Sequence, residues 1–187
     1  MITCKNPAGF PESRINTVIE DRNRNIYGLT ADGLARYNGH EFRLIQLPTD
    51  RSYNILSYNT AVDNNNIIWI KAVDTTGNKL PVRFDGKSYS EVHIHDDNFL
   101  TGNVKRITSI DDSDDLILRV NNHLYTWDKE RLKALSGLEI KKMRKLSGGI
   151  AICDEDNNCF CFEDGTLEPL EINKKSESFI EPLMGNR

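Results

Sequence analysis

The chain has 187 residues, enough for one substantial domain by the rule of about 100–200 residues each. Its composition, 38% hydrophobic and 28% charged, belongs to a folded globular chain and argues against wholesale disorder. A net charge of −4 leaves no electrostatic footprint for nucleic acid or an anionic membrane, and no apolar run approaches the roughly 18 residues that a membrane span needs. The opening Met1-Ile-Thr-Cys-Lys-Asn-Pro7 lacks the basic-then-apolar order of a secretory leader, so either the chain is cytosolic or a leader has already been removed.

After a lead-in over 1–14, the pattern predicts a four-stranded unit over 15–47. Ile15–Glu20 is a strand and Asp21-Arg-Asn-Arg-Asn25 a turn. Ile26–Thr30 is the second strand, Ala31-Asp32-Gly33 a tight turn, Leu34–Tyr37 the third strand, Asn38-Gly39 a hairpin signal and Glu41–Gln46 the fourth strand. A second unit over 54–95 repeats the plan: Ser57–Val62, the turn Asp63–Asn66, Ile67–Val73, an inserted loop Asp74–Lys79, Pro81–Phe84, the turn Asp85-Gly86, and Tyr89–Ile94. The third, over 104–137, runs Val104–Ile110, Asp111–Asp115, Leu116–Val120, Asn121-Asn122, His123–Trp127 and a weak strand Arg131–Leu135. Asp128–Leu135 has helical propensity, the sole such stretch, where a fourth strand is expected. The fourth unit, over 138–172, runs Ile140–Leu146, Gly149–Cys153, Cys159–Phe162, the turn Glu163-Asp164-Gly165, and Leu167–Ile172. Residues 173–187 begin as a polar linker, and Phe179–Arg187 reads as the start of a further blade.

The closing aromatics Tyr37, Phe84, Trp127 and Phe162 recur at spacings of about 47, 43 and 35 residues, and strand repeats at this period are the sequence mark of propeller blades. A blade cannot bury its own faces, so neighbours must stack on it. The fold expected is all-β: about four propeller blades of four antiparallel strands, belonging to a larger propeller.

The stretch Ile15–Asp21, Ile26-Tyr-Gly-Leu-Thr30, Asp32-Gly-Leu-Ala-Arg-Tyr-Asn-Gly39 and Phe42 closely resembles the two-component regulator propeller repeat. Asn23-Arg24-Asn25 stands where that family often has Gly, and Tyr27-Gly28 replaces its usual Trp and following small or apolar residue. The likeness is specific over Ile15–Phe42, moderate over Trp69–Gly86 and weak after Val104. It implies a segment of a seven-bladed propeller from the periplasmic sensor of a hybrid two-component histidine kinase of the Bacteroidetes type. Relatives in that family often detect glycan breakdown products. The partners it implies are an oligosaccharide or other small-molecule ligand, the remaining blades and downstream sensor domains, and a second copy of the chain. Nucleic acid is not expected, nor membrane contact by this segment. A kinase module would lie downstream.

Candidate chemistry is sparse. His93-Ile-His95 places two imidazoles on one strand face beside Asp96 and Asp97, a metal-like cluster whose plainer reading is a polar strand edge. The acidic stretches Asp21–Asn25, Asp63–Asn66, Asp111–Asp115 and Asp154–Asn158 look like calcium loops, yet none has both the turn Gly and the distal Glu, and turn chemistry explains them. Cys153, Cys159 and Cys161 read first as buried free thiols, with a Cys153–Cys159 hairpin disulfide or a metal as alternatives; Cys4 is the fourth cysteine. Ser147-Gly-Gly149 lacks a nucleophile elbow and is expected to let one blade approach its neighbour. Tyr53, Tyr58, Trp69, Tyr89 and Trp127 are expected in inter-blade core, with a sugar-stacking role open to any one of them. His40 and His123 follow or occupy strand turns and show no partnered-carboxylate pattern in the sequence. The chain is therefore expected to be a non-catalytic sensory module with no cofactor, no metal and unplaced ligand-binding residues, located in the periplasm. The alternatives are a cytoplasmic interaction scaffold and a metal-dependent propeller lyase.

Overall fold

Turn residues set the strand lengths throughout the chain. The computed structural model describes residues 15–48, 53–92, 104–109, 116–127, 132–135, 137–146, 149–163 and 165–170, and every regular element among them is a β-strand. The first sheet comprises β1 (Thr17–Glu20), β2 (Ile26–Thr30), β3 (Gly33–Tyr37) and β4 (Phe42–Gln46). The second comprises β5 (Tyr53–Val62), β6 (Ile68–Asp74), β7 (Lys79–Phe84) and β8 (Tyr89–Glu91). The third comprises β9 (Val104–Ser109), β10 (Leu116–Val120), β11 (His123–Trp127) and β12 (Leu132–Ala134). The fourth comprises β13 (Ile140–Lys145), β14 (Ile150–Asp154), β15 (Cys159–Glu163) and β16 (Thr166–Pro169). Each sheet is an antiparallel meander, its strands paired in chain order. This is the blade unit of a β-propeller.

Among the described residues, three cores separate the four sheets. Tyr27, Leu29 and Leu34 of the first sheet meet Ile55, Ile70 and Phe84 of the second. Trp69 and Val92 on the second sheet's other face meet Leu116, Leu118 and Tyr125 of the third. Ile117 and Leu124 then meet Ile140, Ile152 and Phe162 of the fourth. Successive side chains on a strand point to opposite faces, so Leu116-Ile117-Leu118 is fully buried because alternate residues serve different cores. That is why the second strands of the middle sheets open on continuous apolar runs, Ile68-Trp69-Ile70 and Leu116-Ile117-Leu118. Val18 and Ile26, on the first sheet, are exposed large hydrophobics, at 59% and 37%.

Neighbouring sheets are also stitched by polar side chains. Asn59 on β5 bonds β9 in both directions: its Nδ2 donates to Ile107 O at 3.1 Å, and its Oδ1 accepts from Ile107 N. One amide thus ties the two innermost strands as a peptide group would. The Tyr89 hydroxyl on β8 accepts from Leu34 N at 2.8 Å and donates to Ile45 O at 2.8 Å. Leu34 and Ile45 are register partners in the first sheet. Gly33 permits the approach: a Cβ there would lie 2.4 Å from Ile45 O and 3.2 Å from the Tyr89 hydroxyl, at a φ of +144°.

The structure departs from several expectations. The residues with helical propensity include Leu132–Ala134, which pair with β11 as a strand, because an edge position in a sheet outweighs weak local preference. Strand β5 begins at Tyr53, ahead of Ser57, and accommodates the extra length by a register shift between Ile55 and Thr60. Cys153 and Cys159 form a disulfide with Cα atoms 4.1 Å apart, and of the three cysteines in this sheet Cys161 is the free thiol. The physical reason lies in the register. Asp154 N donates to Asn158 O, so the next pair, Cys153 and Cys159, falls at the narrow non-hydrogen-bonded site where side chains are closest. Gly149 serves its own sheet and not a neighbouring blade: a Cβ there would meet Phe162 O at 2.8 Å. The lead-in with Cys4, the His93–Asp97 cluster, the Asp111–Asp115 turn, Ser147-Gly148 and residues 173–187 lie outside the described residues.

Candidate ligand site

Among the described residues, four five-residue turns share one design. Asp21, Asp63, Asp74 and Asp154 each donate their backbone N–H to the carbonyl four residues on, at 2.9, 3.0, 2.9 and 3.0 Å. Their carboxylates reach forward to the same turn. Asp21 Oδ1 accepts from Asn23 N and Asn25 N at 2.9 and 2.8 Å. Asp63 Oδ1 accepts from Asn65 N and Ile67 N at 3.0 and 2.9 Å. Asp74 and Asp154 repeat the forward bond to Asn78 N and Asn158 N, both at 2.8 Å. The fourth residue of each turn takes positive φ: Arg24 at 65°, Asn66 at 62°, Gly77 at 90° and Asn157 at 64°. The leading aspartate of each described calcium-like loop is thus engaged with its own turn's backbone. The apparent insertion 74–79 is the same turn placed one hairpin later.

Two of these turns are sealed by an aromatic donor six residues on. Trp69 Nε1 donates to Asp63 Oδ2 at 2.8 Å, and the Tyr27 hydroxyl lies 3.5 Å from Asp21 Oδ2. Burial works to raise the Asp21 pKa, but hydrogen bonds from Asn25, Asn66 and Asn23 outweigh it and hold the carboxyl below its ordinary value. The two turns also touch. Arg22 N donates to Asn66 Oδ1 at 2.6 Å, Arg22 Nε to Asp63 O at 2.9 Å, and Asn66 Nδ2 to Asp21 Oδ2 at 3.3 Å.

The aromatics singled out in the sequence go mainly into packing. Tyr53 and Trp69 are buried, Tyr89 bridges the first two sheets, and Trp69 meets Trp127 edge-on at 5.1 Å between the second and third. Arg83 lies over the Trp127 ring at 5.7 Å. The Tyr58 side chain is outside the described residues. His40, exposed in the β3–β4 turn, and His123, at the start of β11, stand on different sheets and form no pair.

What sequence reasoning missed is a hollow at the turn end of the first sheet. The β1–β2 and β3–β4 turns share that end, and Arg36 Nη2 donates across to Asn25 Oδ1 at 2.6 Å. Asn38 Oδ1 accepts from His40 N and Glu41 N, both at 2.9 Å, and the Tyr37 hydroxyl donates to Gly39 O at 2.7 Å. These bonds fix the Tyr-Asn-Gly turn as one wall. The hollow, open to solvent, holds about 630 Å³ and is lined by Arg24, Ile26, Arg36, Tyr37, Asn38 and Arg43 among others. Arg24 pairs with Glu20 at 3.1 Å and Arg43 with Glu41 at 2.9 Å. Both pairs are exposed, and such pairs contribute little. Arg36 is held by a neutral amide oxygen. The signal was available as arginines flanking both turns, but only the register places Arg36 opposite Arg43. A second hollow of about 440 Å³ lies beside the disulfide, between Asn157–Phe160 and Pro169-Leu170.

No protein-family model matches the chain, and no curated protein matches its sequence. Solved structures do resemble it in fold. Dihydro-heme d1 dehydrogenase NirN, in complex with DHE, superposes with a TM-score of 0.58 at 9% identity, over 83% of this chain and 36% of that one. The gluconolactonase XC5397 from Xanthomonas campestris gives 0.52 at 10% identity, over 85% of this chain and 62% of that one. Structural neighbours also include the extracellular domain of the hybrid two-component system BT4673 from B. thetaiotaomicron, at 0.45 and 11% identity, over 86% of this chain and 28% of that one. The chain spans less than two thirds of the length of each. Identities this low speak to fold alone, and what these proteins bind or catalyse does not transfer with it.

Proposed function

We propose that this chain is a non-catalytic, ligand-binding part of an extracytoplasmic sensor propeller, responding to glycan-derived or similar small molecules and signalling through domains beyond it. The observation that carries the reading is the first sheet. Its Asp-led turn, its Gly-Leu-Ala-Arg-Tyr-Asn-Gly segment and the strands between them resemble the two-component regulator propeller repeat. The residues that carry the resemblance also hold the sheet together. Asp21 caps its turn, Gly33 admits Tyr89, and Asn38-Gly39 closes the last hairpin. The Cys153–Cys159 bond supports the compartment, because disulfides persist outside the reducing cytosol.

The test combines location with binding. Trapping of thiols in intact cells should find Cys153 and Cys159 oxidised, and thermal-shift screening against glycan fragments should raise the melting temperature without turnover of any fragment. Reduced cysteines in the cell would favour the cytoplasmic scaffold. Turnover abolished by a chelator would make the chain an enzyme.

A further inference from the structure

We propose that the hollow between the β1–β2 and β3–β4 turns binds a small, hydroxylated carboxylate, held chiefly by Arg36 and Arg43. The proposal deepens the sensory reading and rests on it. The chemistry of the wall selects the ligand. Arg36 and Arg43 are opposite one another in the β3–β4 register, so their guanidinium groups leave adjacent strands at the same level. Arg36 meets only the neutral Asn25 Oδ1 among the described residues, which leaves its charge without a carboxylate. Guanidinium forks match carboxylates in shape as well as charge. Asn38 uses its Oδ1 on two backbone amides, so its Nδ2 remains as a further donor. The Tyr37 oxygen donates to Gly39 O and keeps acceptor capacity for a ligand hydroxyl. Arg43 and Arg24 carry exposed ion pairs with Glu41 and Glu20, weak enough for a bound carboxylate to compete with, so the donors of the hollow outnumber its free acceptors, the complement of an acceptor-rich anion with a few hydroxyl groups. Ile26, 37% exposed, adds apolar surface beside the polar wall.

The test uses the full chain and three probes: glucuronate, its neutral counterpart glucose, and acetate. In amide-resolved NMR titrations, glucuronate should shift the amides of Asn38, Gly39 and His40. Glucose should do so at least about tenfold more weakly, and acetate should move the same amides less. Raising the salt from low to about 0.5 M should weaken glucuronate several-fold, as screening of an exposed charge requires. Arg43→Gln should reduce binding about tenfold. Arg36→Gln should do the same, and Arg43 serves as the independent variant because its side chain does not brace the Asn25 turn. Equal binding of glucose and glucuronate would overturn the proposal, as would binding that survives Arg43→Gln or shifts confined to other sheets. If glycan fragments bind but leave these amides unmoved, the sensory reading stands and the hollow is not its site. If no fragment binds anywhere, both fail.

Discussion

Trp69 is fully buried, and its indole N–H donates to Asp63 Oδ2 at 2.8 Å. Trp69→Phe keeps most of the apolar bulk but strands a buried carboxylate oxygen, which costs about 1–3 kcal/mol. Chemical denaturation should register that loss with little change in the denaturant slope. Asp21 makes a pH prediction. Its folded pKa lies below the ordinary 3.8, so its contribution is complete above that value and is lost as pH falls through the lower, folded one. Asp21→Asn should therefore be less stable than the parent chain at neutral pH, and the gap should narrow below pH of about 3.8. An acid titration of both melting temperatures checks the sign. Lys71 runs the other way. Burial depresses its pKa, and Lys79, Lys105 and Arg106 add repulsion, so Lys71→Met should raise the melting temperature, more so at low salt.

Among elements, the fourth sheet carries a covalent tie across β14 and β15. Closing so short a loop restricts the unfolded chain by about 2 kcal/mol in the chain-entropy account. Cys153→Ala with Cys159→Ala should lower stability by that order, read as a shift in the denaturation midpoint. Most strands were legible in the sequence, since Asx and Gly turns bracket apolar segments and leave few other registers. The Tyr37-Asn38-Gly39 and Phe84-Asp85-Gly86 closures are examples: each Asx oxygen accepts two forward amides, and Gly39 and Gly86 take φ of 97° and 93°. The disulfide was also legible, had the turn been counted. Asp154–Asn158 is a complete five-residue turn with a cysteine directly on either side. The arginine hollow was harder to see. Arg24, Arg36 and Arg43 are scattered in the chain and meet only through hairpin register, which local pattern does not display.

At the scale of the molecule, the described cores join first sheet to second, second to third and third to fourth. Stability in such stacked repeats approximates a sum over units and nearest-neighbour interfaces. Ile152→Ala in the last core should cost about 2–5 kcal/mol. Hydrogen exchange should then report faster opening of β13–β16 while β2 and β6 keep most of their protection. A uniform loss across all four sheets would instead mean that the array unfolds as one unit.

Repeat proteins are usually pictured as strings of exchangeable units, yet the junction of the first two sheets resists exchange. The Tyr89 hydroxyl from one unit occupies a position in the hydrogen-bonded ladder of the other, and Gly33 leaves the room for it. Swap either unit for a copy lacking its half of this pair and the seam is weakened, either by a clash or by loss of both hydroxyl bonds. Blade order is thus written into this contact as well as into the shared core and the bonds between the Asp21 and Asp63 turns, and duplication or shuffling of this unit would have to carry Gly33 and Tyr89 together.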